Sequence, residues 1–250
     1  MAEDEDNILL TDFLKEITGN IGGEHQTHLN MVLPFWNERK EMFTPQTSNF
    51  IHECIIQAEH NGFHFYKHNH GFVTVLNLPK KNARTRKTLL ETFFRRIGDG
   101  EMYGGKNALQ YLIGELIDNI YQHSNFSNAY LGVEQFDDLF FICICDDGIT
   151  IKESLKQVQP GIKDGCEALI KALQGESSKN EERGWGLSSS VDIARNGYHA
   201  EILVASSDGA LWINNNEQKI FNLEDKSYHG TFLGFLMVLP MDLVDIYDYI

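Results

Sequence analysis

Four short runs of this chain combine residue types and spacings that could do chemistry. The first is Glu115-Leu116-Ile117-Asp118-Asn119. If this stretch is helical, Glu115 and Asn119 stand four residues apart and project from one face, opposite an apolar stripe. A carboxylate and an amide so placed can orient a water and hold a hard cation through oxygen. The same pair on a solvated helix would do nothing. The second run is Asp146-Asp147-Gly148-Ile149-Thr150, directly after the apolar stretch Phe140–Cys145. A carboxylate at the end of a buried strand, followed by Gly, can form a site where backbone approaches a ligand closely; an ordinary Asp-Gly turn has the same letters. The third is Arg183-Gly184-Trp185-Gly186-Leu187-Ser188-Ser189-Ser190. Glycines ahead of a helix free backbone N–H groups to face an anion, and the helix dipole favours negative charge there. It is neither a Walker A loop, since no Gly-Lys-Ser/Thr follows, nor a dinucleotide fingerprint, since no strand precedes it. The fourth is Gly230-Thr231-Phe232, at the start of a late apolar stretch.

These runs need elements to hold them. Apolar spacing predicts a strong helix over Ala108–Ser124, with Leu109, Leu112, Ile113, Leu116 and Ile120 as its buried stripe. Strands are expected at Ala129–Gln135 and Leu139–Cys145, then a helix near Glu167–Leu173 and another at Leu187–Asn196. Further strands are expected at Glu201–Ala205, Ala210–Ile213, Lys219–Asn222 and Thr231–Val238. Hairpin-linked strands with helices interposed in pairs predict an α+β sandwich: one mixed sheet with its helices on one face. A Gly-rich break at Gly98, Gly100, Gly104 and Gly105 is the candidate boundary between an N-terminal region, residues 1–100, and the part carrying the chemistry, 101–250. The N-terminal region shows helical spacing over Leu9–Ile17, Ser48–Glu59 and Thr85–Ile97, and strand patterns at Phe63–Tyr66 and Phe72–Leu76.

The order of the four runs carries more than any one of them. A Glu…Asn helix, a strand ending in Asp-x-Gly, a variable segment, Gly-x-Gly-Leu opening a helix and a late Gly-Thr together resemble the GHKL ATPase family. Histidine kinases, gyrases, MutL proteins and some heat-shock chaperones share that Bergerat-type ATP-binding fold. The resemblance covers Ala108 to about Pro240 and implies ATP and Mg²⁺ as ligands. It implies Glu115 as the catalytic carboxylate where hydrolysis occurs, and Asn119 as the Mg²⁺ ligand. Asp146 would accept a hydrogen bond from the adenine amino group, with Gly148 giving the base room and Thr231 supporting Asp146 through water. Gly184, Gly186 and Leu187 would meet the phosphates through their backbone. Ile151–Arg183 would be the mobile ATP lid, with Lys179 and Arg183 as phosphate partners or as solvated loop charges. Asp118 and His123 fall where family members carry polar residues; His123 orders the helix end or touches phosphate. Two departures bear on turnover: Thr150 replaces the second glycine of the Asp-x-Gly run, and Gln122 stands where Lys or Arg is frequent.

The resemblance is nearest to stand-alone anti-sigma-factor serine kinases and implies a protein kinase or slow ATPase acting on a regulatory partner protein. A non-catalytic nucleotide-gated interaction module is the alternative. A histidine-kinase fragment is a third reading, weakened because no paired helices with an exposed phosphoacceptor His are visible; His52, His60, His64, His68 and His70 read as surface or turn residues. A net charge of −15 argues against non-specific binding to nucleic acid or an anionic membrane. Against that background Lys80, Lys81, Arg84, Arg86, Lys87, Arg95 and Arg96 form one basic region, either a solvated helix face or a dock for an acidic partner. The acidic N-terminus, lacking a signal-like pattern, and four cysteines without a CxxC pair predict a cytoplasmic protein with reduced thiols.

Overall fold

The computed structural model describes residues 57–68, 71–81, 83–96, 100–176, 186–223 and 227–249. The expected helix at Leu9–Ile17, most of that at Ser48–Glu59, and the site residues Lys179, Arg183 and Gly184 lie outside them. After a helical end over residues 57–61, the chain forms β1 (Phe63–His68), β2 (Gly71–Asn77), α1 (Ala83–Arg96) and α2 (Lys106–Asn119). β3 (Ala129–Phe136), β4 (Leu139–Asp146), α3 (Ile151–Lys156), α4 (Gly165–Leu173) and α5 (Gly186–Asp192) follow. β5 (Glu201–Ser207), β6 (Gly209–Ile213), β7 (Gln218–Asn222) and β8 (Tyr228–Val238) complete an eight-stranded sheet in the order β1-β2-β3-β4-β8-β5-β6-β7.

The molecule is α+β, as patterning predicts, but the sheet is not mixed. Every strand pairing within it is antiparallel. The reason is the place of β8. The helices α3, α4 and α5 return β5 in the same direction as β4, which alone would give a parallel pair. β8 inserts between them and runs opposite to both, with Ile142 and Ile202 each facing Phe235. The sheet also runs across the Gly98–Gly105 break, since β2 pairs with β3 from Gly71↔Phe136 to Asn77↔Tyr130.

Strand alternation sorts side chains into two sets. One set, with Leu76, Leu131, Ile142, Phe235, Ile202 and Leu211, packs on the apolar stripes of α1, α2 and α5 through Phe93, Leu112, Leu116 and Val191. Burial of this set from water is the main force holding the helices on the sheet. The other set includes Tyr130, Phe141, Leu203, Trp212 and Phe232, and is also buried; Ala58 of the helical end at 57–61 packs with it, so helix is not confined to one face as expected. Cys143 and Cys145 belong to it, on one side of β4 as expected, and are free thiols whose burial raises both above the ordinary range. Among the described residues no helix is long and apolar enough to cross a membrane.

α2 is the element that positions the first run of site residues. Its buried stripe is Ala108, Leu109, Leu112, Ile113, Leu116 and Ile117, so Glu115 and Asn119 are left on the half-buried side. Beyond Asn119 the helix widens into a π-helical turn, Ile120–Ser124, closed by the Ser124 hydroxyl donating to the Ile120 carbonyl (3.0 Å) and ended by Asn125 in a left-handed conformation (φ 48°). The spacing predicts one helix to Ser124, but such single-turn expansions interrupt the 3.6-residue period without breaking the apolar pattern.

Candidate functional site

Asp146 is the last residue of β4, 1 % exposed, with its side chain on the helix-covered face. Directly across the ladder stands Thr231 of β8, and across from Thr231 stands Ser206 of β5. The three form a polar row at one end of a face that is otherwise Ile, Val, Leu and Phe. The carboxylate Oδ1 accepts from the Gly148 N–H (2.8 Å). Burial pushes the Asp146 carboxyl up to about 7; the Gly148 N–H and the Ser124 hydroxyl pull it down, and the charge of Asp147 pushes it further up.

Gly148 is held by a contact that the sequence does not announce. A Cβ there would fall on the carbonyl oxygen of Ser124, at the end of the π-helical turn. The next N–H, of Ile149, donates to that same carbonyl (2.6 Å). Gly148 therefore joins the end of β4 to the end of α2, bringing Asp146 beside the turn that begins at Asn119. Asn119 itself is half-buried, and its Nδ2 is buried with no hydrogen-bond partner. An orphaned buried amide is costly and marks a group that a ligand oxygen could satisfy.

One turn back along α2, Glu115 is half-buried next to Tyr111. Burial and then the Glu115 charge raise the Tyr111 hydroxyl, while its hydrogen bond to Ser189 of α5 lowers it. α5 thus lies against the side of α2 that carries Glu115. Gly186 and Leu187 open α5, and Leu187 packs between the main core and the small core of α3 and α4. The described contacts place Asp146 and Gly148 against Ser124 at the end of the π-helical turn, Thr231 across from Asp146, and α5 against the side of α2 that carries Tyr111 and Glu115.

The expected lid is described over its first part. Ile151–Glu176, the larger part, is packed structure: Leu155, Ile162, Ala168 and Ala172 form their own buried core. Asp208 anchors it, its Oδ1 accepting from the Lys152 ammonium (2.9 Å) and from the Gly165 N–H (2.9 Å). α3 was not foreseen, although its start is written in the sequence. Thr150 is its N-cap and forms a reciprocal capping box with Glu153, the Thr150 hydroxyl accepting from the Glu153 N–H (3.1 Å) and the Glu153 carboxylate from the Thr150 N–H (2.8 Å). Thr in place of glycine is accordingly a helix cap here. Thr150→Ala is expected to cost about 1 kcal/mol and a few degrees in the unfolding midpoint. Denaturant titration checks the first figure, and a change below a few tenths of a kcal/mol would remove the cap from the account.

Three residues that help build the site were not singled out. Ser206 is 1 % exposed; its hydroxyl donates to the Gly230 carbonyl (2.8 Å), accepts from the Ile151 N–H (2.9 Å) and lies 3.2 Å from the Thr231 hydroxyl. Ser124 lies against Asp146. Asp147 clamps the preceding loop, accepting from the Ser127 N–H (2.6 Å), the Asn128 N–H (2.8 Å) and the Asn128 amide (2.8 Å). Ser206 was visible in principle: with Ile202 and Val204 it continues the inward positions of β5, and a serine there breaks the apolar alternation. Comparisons with family models, with curated proteins and with solved structures each return no match.

Proposed function

We propose that the chain binds Mg²⁺-ATP in a histidine-kinase-like, Bergerat-type site and acts as a protein kinase or slow ATPase on a regulatory partner protein. The observation that carries this reading is the pairing of buried Asp146 with Thr231 on the helix-covered face, against the Ser124 end of the π-helical turn that follows Asn119. Asp146 would accept from the adenine amino group, with Thr231 and Ser206 steadying it from the neighbouring strands. The fit to a metal-nucleotide rests on the donor set. Among the described residues no cluster of three His, Cys, Asp or Glu side chains could cage an ion. Mg²⁺ bound with a nucleotide needs only one or two protein oxygens, since phosphates and water complete its shell. Asn119 would be that ligand through Oδ1, its unpartnered Nδ2 donating to a phosphate oxygen, and Glu115, on the same face of α2, would orient a water or a partner hydroxyl. Bound Mg²⁺ neutralises charge on the phosphates during transfer.

One observation favours the alternative, a non-catalytic nucleotide-gated module. The Asp208 anchor and the α3–α4 core restrain most of the segment expected to close over the nucleotide, leaving less chain for a lid. Thermal unfolding with and without Mg²⁺-ATP tests the common core of both readings. Saturation at about 100 times the dissociation constant stabilises by roughly 2.7 kcal/mol, a shift of several degrees. Asn119→Ala is expected to lose most of that shift with Mg²⁺ present and to differ little from wild type without it. No shift in wild type, with no heat of ATP or ADP binding by calorimetry, sinks both readings. A single-turnover assay for ADP release then separates kinase or ATPase from gate.

A further inference from the structure

The residues between Pro79 and Arg96 include seven basic side chains and one acidic, Glu91, in a chain of net charge −15. Two of the seven have structural work. Arg86 pairs with Asp118 (3.0 Å) and lies over the Tyr121 ring (4.6 Å), and Arg96 lies over Phe65 (4.7 Å). The other five, Lys80, Lys81, Arg84, Lys87 and Arg95, are exposed; the helix spacing puts Arg84, Lys87 and Arg95 on one stripe of α1, and Lys80 and Lys81 precede the helix. Within that stripe the one described ion pair is a loose Lys87–Glu91 contact at 3.9 Å. Among the described residues Glu91 is the one carboxylate of α1, set within the stripe, against these five exposed cations. The first turn of α1 holds no acidic residue, so its cations sit at the positive end of the helix dipole, where they are unfavourable. Arg86 is held there by Asp118 and Tyr121, whereas Arg84 has no such contact among the described residues.

We propose that this stripe is a docking surface for an acidic, extended segment of a partner protein. Arg86 and the Tyr121 hydroxyl, which donates to the Pro79 carbonyl (2.6 Å), fix the start of α1 against the end of α2. Arg84, Lys87 and Arg95 lie on the opposite side of α1 from Arg86 and are exposed, so the stripe faces an incoming segment. A flexible acidic peptide can follow the stripe alone. A nucleic-acid duplex or an anionic bilayer would also bring the surrounding acidic surface within a Debye length and be repelled. The stripe is a property of α1 and does not depend on whether a nucleotide binds.

The test uses the full chain and a fluorescent polyglutamate peptide of about eight residues, whose extended length is near the ~21 Å of α1. The variant Lys80→Glu/Lys81→Glu/Arg84→Glu reverses three of the five exposed cations and improves the charge at the helix start, so it is expected to fold. Peptide affinity is expected to fall at least tenfold in the variant, and in wild type about tenfold between ~0.05 M and ~0.3 M salt. The same variant should keep its Mg²⁺-ATP stabilisation. Several results would overturn the proposal: no peptide binding by wild type, or equal binding by both proteins. Tighter binding of a single-stranded oligonucleotide of equal charge or of phosphatidylserine vesicles would also do so. Concentration-dependent self-association in wild type, lost in the variant, would instead assign the surface to a second copy. Absence of an ATP shift in wild type would count against the nucleotide reading alone.

Discussion

Asp146→Asn is expected to abolish stabilisation by Mg²⁺-ATP while leaving the free protein at least as stable as wild type near pH 8. The two halves of that result have one cause. Asp146 is buried, and burial raises its carboxyl to about 7, far above the ordinary value for an aspartate. Because the folded value lies above the unfolded one, the folded state keeps its proton while the unfolded state releases it. Stability therefore declines as pH rises from about 4 to about 7 and levels off above. Near pH 8 wild type holds an ionised carboxylate at the end of an apolar face, and an amide of the same shape does not bear that cost. Asn keeps an oxygen for the Gly148 N–H, so the local hydrogen bond survives. The lost property is a full acceptor for an adenine amino group.

The same pKa sets the pH dependence of binding. If the ionised carboxylate is the form that accepts from adenine, wild-type affinity for ATP should rise about tenfold from pH 6 to pH 8, since each pH step below the pKa costs up to tenfold. Calorimetric titrations at matched ionic strength read this directly. Glu134 provides the control. It lies on the opposite face of β3, and burial raises it to about 7 as well, so it contributes to the same decline of stability with pH. Glu134→Gln should flatten that decline in part and leave the pH profile of ATP binding untouched. A flat affinity profile in wild type, or full binding by Asp146→Asn, would place the base elsewhere or nowhere on this protein.

What could be read from residues alone was governed by periodicity. The stripe of α2 and the alternation of β4, β5 and β8 are long and regular, and their positions emerged within a few residues. Asp146, Gly148 and Thr231 were found because they stand at the ends of those regular elements. The sheet's antiparallel pairing was not legible, because the insertion of β8 between β4 and β5 depends on a register contact across 85 positions, Asp146 to Thr231. The helix that opens the expected lid was missed for a local reason. Thr150-Ile151-Lys152-Glu153 is a capping signature, but compared with a family pattern it looked like a missing glycine. Ser206 and Ser124 went unnoted because a buried hydroxyl has no sequence period of its own; only the tertiary neighbours Gly230, Thr231 and Asp146 give it a role.

The largest loss of stability is expected from a single methyl group at Gly230. The residue has φ +87°, in the left-handed region, and a Cβ there would fall on the carbonyl oxygen of Asp146, with the Asp147 Cα 3.0 Å away. Neither partner can retreat. β4 and β8 are paired along their length from Leu139↔Val238 to Asp146↔Thr231, and the Gly230 carbonyl is held by the Ser206 hydroxyl. Relief would require opening the end of the ladder that carries the polar row. Gly230→Ala is therefore expected to cost ~3–5 kcal/mol, among the largest effects a point substitution produces, and to remove nucleotide stabilisation with it. Gly114→Ala is the matched comparison. It sits inside α2 with nothing within 4 Å of a built Cβ, so the same methyl group should stabilise by ~0.5–1 kcal/mol through helix propensity. Chemical denaturation of both variants beside wild type decides the matter. A Gly230→Ala protein within 1 kcal/mol of wild type would mean that β8 does not press on the end of β4 as described. The pairing of Asp146 with Thr231, on which the nucleotide reading rests, would then fall with it.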